Sequence, residues 1–239
     1  MSPAPPEFSA VVPARLESTR LPRKALAAIG GVPLVVRVLR QVAKAKPATL
    51  VAATDSPLIK DAVEAAGFDA LLTPPCPNGT ARVAHAAKKL RLRGVVLNVQ
   101  GDMPEIGPAL LRRTAAAAAA GGCDVATAAA PITAAQARDP AVVKAVAAAD
   151  GRALYFSRAA VPHGARRHLG HIGVYAFAPG RLARAAALPA AALAKEEGLE
   201  QLSWLAAGWR LRLLRAASFV AGVDTPADLA RCRRRLGGA

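Results

Sequence analysis

Short apolar runs alternate with stretches of helical periodicity through the first 131 residues, and that rhythm restricts the fold more than any other feature of the chain. Residues 8–13 read as a strand. The segment "GGVPLVVRVLRQVAKA" (30–45) opens on a Gly-Gly turn and continues with apolar residues at helical spacing. "ATLVAATD" (48–55) is a second strand, and "SPLIKDAVEAAG" (56–67) is a helix with a serine cap, a proline in its first turn and a glycine stop. Strand 69–73, helix 79–92, strand 94–102, helix 108–120 and strand 123–131 follow. A βαβα order of this kind predicts a mainly parallel sheet covered by helices on both faces, because each crossover returns the chain to the same end of the sheet.

The second half changes character. Residues 141–158 give two strands around an Asp-Gly turn, and 171–177 gives another. Helices are expected near 181–188 and 196–207, then strand 209–216 and a closing helix after "VDTP". No repeat and no Ser/Gly linker interrupts the chain. Residues 1–239 therefore read as one domain: an α/β core at 8–131, a smaller β-rich part at 140–215, and a returning loop and helix at 222–236.

Charge narrows the partners. Lys and Arg total 32 against 16 Asp and Glu, a formal charge of +16, which suits nucleic acid, acidic lipid or a polyphosphate without choosing among them. Much of the excess is arginine in an alanine-rich chain, so genomic base composition is a second source of it. Cys76, Cys123 and Cys232 are odd in number, far apart and in no CxxC pair, which argues for a reducing compartment and against a disulfide framework or zinc knuckle. The opening "MSPAPPEFSAVVPA" has no basic region followed by a long apolar run. The apolar stretch at 114–122 is alanine, too weakly hydrophobic to insist on a membrane span. The expected location is the cytoplasm.

In open α/β sheets, ligands bind beyond the carboxyl ends of the strands. Two charged features sit at such ends. The first is the loop in "VVPARLESTRLPRKAL" (11–26), where Arg15, Arg20 and Lys24 accompany the hydroxyls of Ser18 and Thr19. Arginine forks and a lysine point charge suit a triphosphate, and Pro22 stiffens the loop against entropy loss on binding. No GxxxxGK[ST] is present, so the loop is not a P-loop. The plainer reading is a solvated basic loop. The second feature is Asp102, which ends the apolar strand of "GVVLNVQGD" and needs exposure or a cation to be tolerable there. Mg²⁺ favours one or two carboxylates with phosphates and water, and Asp224 in "GVDTPADL" is a second candidate, with helix capping as its alternative.

Nine segments together carry a resemblance. "PARLESTRLPRKAL", "ATDSPLI", "NGTARVA", "NVQGDMPEI", "DPAVVKAV", "ALYFSRAAVP", "HIGVYAF", "GLEQL" and "GVDTPADL" stand in the order seen in 3-deoxy-manno-octulosonate (Kdo) cytidylyltransferases, and the chain resembles that family from Phe8 to its last helix. The resemblance implies a GT-A-like (Rossmann-like) α/β nucleotidyltransferase with a mainly parallel central sheet and a small β-rich extension. It implies a homodimer that transfers CMP from CTP to a small anionic acceptor and releases pyrophosphate. By the same likeness, the segment Pro13, Ala14 and Arg15 and residue Lys24 would hold the nucleotide, with Ser18, Thr19 and Arg20 shaping the loop. Asn78, Gly79, Thr80 and Arg82 would help bind the nucleotide, and Gln100 would serve both substrates. Arg158, His171, Tyr175, Glu200 and Gln201 would face the acceptor, His171 by donating a hydrogen bond or titrating near neutrality. Asp102 and Asp224 would bind Mg²⁺, the one cofactor expected, and Arg15, Lys24 and the two aspartates would be the catalytic set.

Departures from the family pattern concern the acceptor. Cys76-Pro77-Asn78 replaces the usual His-x-Ser, Ala81 an acidic residue, Met103 the acidic residue after Gly-Asp, and Ser203 an arginine. Only "HGARRHLG" separates Pro162 from His171, where the family carries a longer segment. These changes leave two acceptors open: a Kdo-like sugar acid, the default, and a small phosphonate such as phosphonoformate. Two rival classes are a basic nucleic-acid binder and a catalytically dead scaffold. The first fits poorly with only nine scattered aromatic residues, and the second with the retention of Arg15, Lys24, Asp102 and Asp224.

Overall fold

The structure, a computed structural model, describes residues 7–237. The expectation about the N-terminal stretch rests largely on residues 1–6, outside the described residues.

Strand β1 (Phe8–Ala14) leads through a loop and a 3-10 turn at Lys24–Leu26 into a small hairpin, β2 (Ala28–Ile29) and β3 (Val32–Pro33). Gly30 and Gly31 make its turn with φ of +53° and +72°, angles that favour glycine. Helix α1 (Leu34–Ala43), strand β4 (Thr49–Thr54), helix α2 (Pro57–Glu64), strand β5 (Asp69–Leu72), helix α3 (Gly79–Lys89), strand β6 (Val95–Val99), helix α4 (Pro108–Ala119) and strand β7 (Val125–Ile132) complete the alternating half. Beyond it lie α5 (Ala134–Arg138), β8 (Lys144–Ala147), β9 (Ala153–Ser157), β10 (His168–Phe177), α6 (Arg181–Ala187), α7 (Ala192–Glu197), α8 (Gln201–Ala206), β11 (Leu211–Arg215) and α9 (Pro226–Leu236).

One sheet runs through both halves in the order β11-β7-β10-β6-β1-β4-β5, with the β8–β9 hairpin hanging off β10. β1 is parallel to β4 and β6, β5 to β4, and β11 to β7. β10 alone in that path runs antiparallel, between β6 and β7. The mainly parallel α/β expectation holds. All seven residues of β1 are buried, as a strand covered on both faces requires. Alternate residues feed two cores. Ala10 and Val12 join α1, α2 and α4 on one face, while Val11 and Val96 join α3, α6 and α8 on the other.

A third, smaller cluster decides where the site forms. Leu21 from the first loop, Ile29, Leu34, Val223, Leu229 and Cys232 pack together, which ties that loop to α9.

Three local expectations change. The helix expected at 196–207 is two helices, because Gly198 ends α7 at φ +63°. Ser56 stands at the start of α2, yet its buried hydroxyl makes no capping bond. Asp224 is not the cap of α9: Thr225 fills that place, in a capping box with Asp228. No helix among the described residues is long and apolar enough to cross a membrane.

Candidate active site

A cleft of about 450 Å³ opens where β1 and β6 end. Its walls are the loop after β1, the residues following β6, the first turn of α3, and the segment that leads into α9. The two strand ends press together: a Cβ on Gly101 would lie 2.7 Å from the carbonyl oxygen of Pro13, so only glycine fits that exit.

Two carboxylates 122 residues apart in sequence meet in this cleft, through one backbone bond. Val223 donates its N–H to the carbonyl of Asp102 at 2.8 Å, which brings Asp224 alongside. Lys24 then bridges the pair, its Nζ donating to Asp102 Oδ2 at 2.7 Å and to Asp224 Oδ1 at 2.8 Å. Arg20 approaches Asp224 Oδ1 at 3.1 Å. Burial works to raise the Asp224 pKa, but the charges of Lys24 and Arg20 outweigh it and hold the carboxyl below its ordinary range. Burial likewise works to lower the Lys24 pKa, and the two carboxylates outweigh it, so the ammonium is held charged. Both carboxylates reach one nitrogen, so one small cation can touch both. No third His, Cys, Asp or Glu joins them among the described residues. A pair of oxygen donors of this kind suits Mg²⁺, which leaves its other positions to phosphate and water.

The nucleotide set is largely assembled here. Pro13, Ala14 and Arg15 line the cleft at the end of β1, and Ser18, Thr19 and Arg20 line it from the loop. Arg15 is exposed and has no acidic partner among the described residues. Asn78, Gly79, Arg82 and Gln100 line the facing side. Asn78 caps α3 by accepting the N–H of Ala81 at 2.8 Å, which aims the positive end of an eleven-residue helix at the cleft. Arg82 is nearly buried, and its guanidinium is engaged by Asp55 and by the Thr73 hydroxyl.

The structure departs from expectation at Thr80, which does not line the cleft. The residue is 1% exposed, and its hydroxyl donates to Glu200 Oε1 at 2.8 Å. Asn98 donates to the same hydroxyl at 3.3 Å, and Gln100 donates to Asn98 at 3.3 Å, so a chain of donors runs from the cleft inward to Glu200.

The acceptor set is gathered behind this chain rather than in the open cleft. Glu200 Oε2 is sealed from solvent without a partner among the described residues, and burial raises the Glu200 pKa. Tyr175 is buried between the rings of His171 and Trp204, and Gln201 is 2% exposed at the start of α8. Arg158 spends its guanidinium on the carbonyls of Glu197, Pro140 and Gly198, the last of which lines the cleft. His171 corrects two expectations. Its Nε2 lies 2.8 Å from Thr127 Oγ1, whose own proton goes to the carbonyl of Val174 at 2.7 Å. Thr127 can therefore only accept from the ring, so Nε2 carries the hydrogen and Nδ1 is bare. Burial lowers the pKa to about 3, so the imidazole is neutral near pH 7 and its free nitrogen accepts rather than donates.

Several positions escaped the sequence reading. Glu197 holds Arg158 by its N–H and Ser157 by its hydroxyl, and Thr127 fixes the His171 tautomer. Nothing in their spacing marks them; they become visible only once β9, β10 and α7 are adjacent. Met103 is 2% exposed, with its sulfur close to where Gly173 would carry a Cβ, and Ser203 accepts the N–H of Ala191 at 3.1 Å. Both unusual residues thus serve packing and local hydrogen bonding.

Residues 9–212 match the family described as cytidylyltransferase. The chain belongs to the cytidylyltransferase family. It is 45% identical to the 3-deoxy-manno-octulosonate cytidylyltransferase of Rhodospirillum centenum, over 99% of this chain and 96% of that one. It is 44% identical to the protein of the same name from Parvibaculum lavamentivorans, over 95% and 91%. Among solved structures, CMP:2-keto-3-deoxy-manno-octonic acid synthetase complexed with CTP superimposes with a TM-score of 0.89 at 34% identity, covering 96% of this cytidylyltransferase and 98% of that chain. The rival readings as a nucleic-acid binder and as a phosphonate-specific enzyme find no support in these relatives, each named for the octulosonate.

Proposed function

We propose that this cytidylyltransferase uses Mg²⁺ to transfer CMP from CTP to an octulosonate-type sugar acid, releasing pyrophosphate. The observation that carries the proposal is the meeting of Asp102, Asp224 and Lys24 at one point of a basic cleft. Arg15, Arg20 and the first turn of α3 bind the triphosphate, with the Ser18 and Thr19 hydroxyls as further donors. Asp102 and Asp224 hold the metal, which when bound neutralises phosphate charge and acidifies the attacking oxygen.

The acceptor oxygen forms a bond to the α-phosphorus as the bond to the pyrophosphate oxygen breaks. The protein contributes alignment and charge rather than covalent chemistry. Gln100 stands at the border of the two substrates. Neutral His171, with its bare Nδ1, accepts a hydrogen bond from a hydroxyl of the acceptor without taking its proton, and Arg158, whose guanidinium is tied to backbone carbonyls, contributes its positive charge to that side. A homodimer and a cytoplasmic location complete the proposal; the first rests on the family resemblance and the second on three free thiols that fit a reducing compartment.

Pyrophosphate release with CTP and Mg²⁺ across a panel of acids tests this reading. Release is expected with the octulosonate and not with phosphonoformate. Silence with every sugar acid in the panel would overturn it.

A further inference from the structure

Lys24 occupies the gap between Asp102 Oδ2 and Asp224 Oδ1, the place of an ion bridging those two oxygens. Its Nζ lies 2.7 and 2.8 Å from one oxygen of each carboxylate, and Mg²⁺ would need such oxygens at roughly 2.1 Å. An ammonium and a divalent ion on the same two carboxylates would stand a few ångström apart, with strong repulsion. Arg20 adds a further claim on Asp224 Oδ1 at 3.1 Å. Two negative charges thus face two positive side chains while no nucleotide is bound, and little net attraction is left for a metal arriving alone.

The lysine is also well placed to leave. Its backbone is held in the 3-10 turn by a bond from Lys24 N to Leu21 O at 3.1 Å, with Leu21 and Ala25 buried on either side. Its flexible stem carries the ammonium, and the cleft it lines also contains Arg15, Ser18 and Thr19. Triphosphate oxygens lying against those groups would compete for it.

We propose that Lys24 is a built-in stand-in for the metal. It fills the carboxylate pair while no nucleotide is bound, and it turns to the phosphates when CTP enters, clearing Asp102 and Asp224. This rests on the nucleotide reading of the cleft. Nucleotide and metal then assist each other reciprocally, since each removes the other's competitor. The enzyme takes up the ion together with the substrate and holds it weakly otherwise.

The test compares the wild-type chain with Lys24→Met, using Mn²⁺ alone as the probe and following its electron paramagnetic resonance signal without nucleotide. The variant is expected to bind Mn²⁺ about tenfold more tightly, within the usual range of couplings between sites. Its affinity for CTP in EDTA is expected to fall by about tenfold, because a phosphate contact is lost. Thermal unfolding gives a parallel reading, in which Mn²⁺ alone raises the Tm of Lys24→Met more than that of the wild type. Equal or weaker Mn²⁺ binding by the variant overturns the proposal.

If Lys24→Met does not fold, Asp224→Asn approaches the question from the other side. With one of its two partners neutralised, Lys24 is freer to meet phosphate, and CTP binding in EDTA should tighten; unchanged or weaker binding overturns the proposal. The Mn²⁺ comparison needs no turnover. Failure of every acid in the pyrophosphate assay would therefore overturn the transferase reading while leaving this measurement to stand or fall on its own.

Discussion

Thr80 donates a hydrogen bond from its hydroxyl to Oε1 of Glu200, while Oε2 is sealed away with no partner among the described residues. Burial raises the Glu200 pKa above its ordinary value of 4.5, so the folded protein holds the carboxyl proton more tightly than the unfolded chain does. Stability contributed here is full below that ordinary value and declines as pH rises through the raised one. Glu200→Gln, which keeps the shape and cannot ionise, should therefore unfold at higher temperature than the wild type at pH 8, with the gap closing toward pH 4; melting curves across that range check it. Asp102→Asn concerns chemistry instead. Its backbone bond to Val223 is untouched, so the fold should persist, while turnover should fall by about a hundredfold to a thousandfold in the pyrophosphate assay. Residue types made Arg15, Lys24 and Asp102 candidates, and the nine-segment resemblance turned the choice from a solvated basic loop to a nucleotide site. They could not reveal that Thr80 turns inward: its partner lies 120 positions away, just ahead of another helix.

Elements were legible where period and punctuation agreed. β1, β4 and β6 announce themselves as apolar runs, and α2 by its proline and glycine. The break between α7 and α8 was hidden, since a glycine inside an otherwise helical pattern reads as tolerated until its positive φ is seen. The exit of β6 is where one element's geometry governs the site. Gly101→Ala would place a methyl 2.7 Å from a backbone oxygen of β1, which cannot rotate away. A loss of about 1–3 kcal/mol is expected, read from urea midpoints, together with reduced turnover as Asp102 is displaced.

At the scale of the molecule, hydrophobic periodicity gave the layers but not the order of the strands. Nothing in the alternation of 171–177 says that β10 inserts antiparallel between β6 and β7, because a strand buried on both faces carries no label for its neighbour. That insertion knits the β-rich half into the same sheet as the nucleotide half. Urea transitions followed by tryptophan fluorescence, with Trp204 packed against Tyr175 and Phe177, should coincide with those followed by far-ultraviolet circular dichroism. Separated transitions would mean that the halves melt independently.

The small cluster that clasps the first loop to the final helix also sets a timetable for biosynthesis. A chain still emerging from the ribosome can lay down the sheet, yet Leu21 lacks the buttress it settles against until Leu229 and Cys232, roughly two hundred positions later, have been made. The candidate site therefore closes only after both ends of that clasp exist, and a copy cut short before Leu229 would leave the first loop without its anchor.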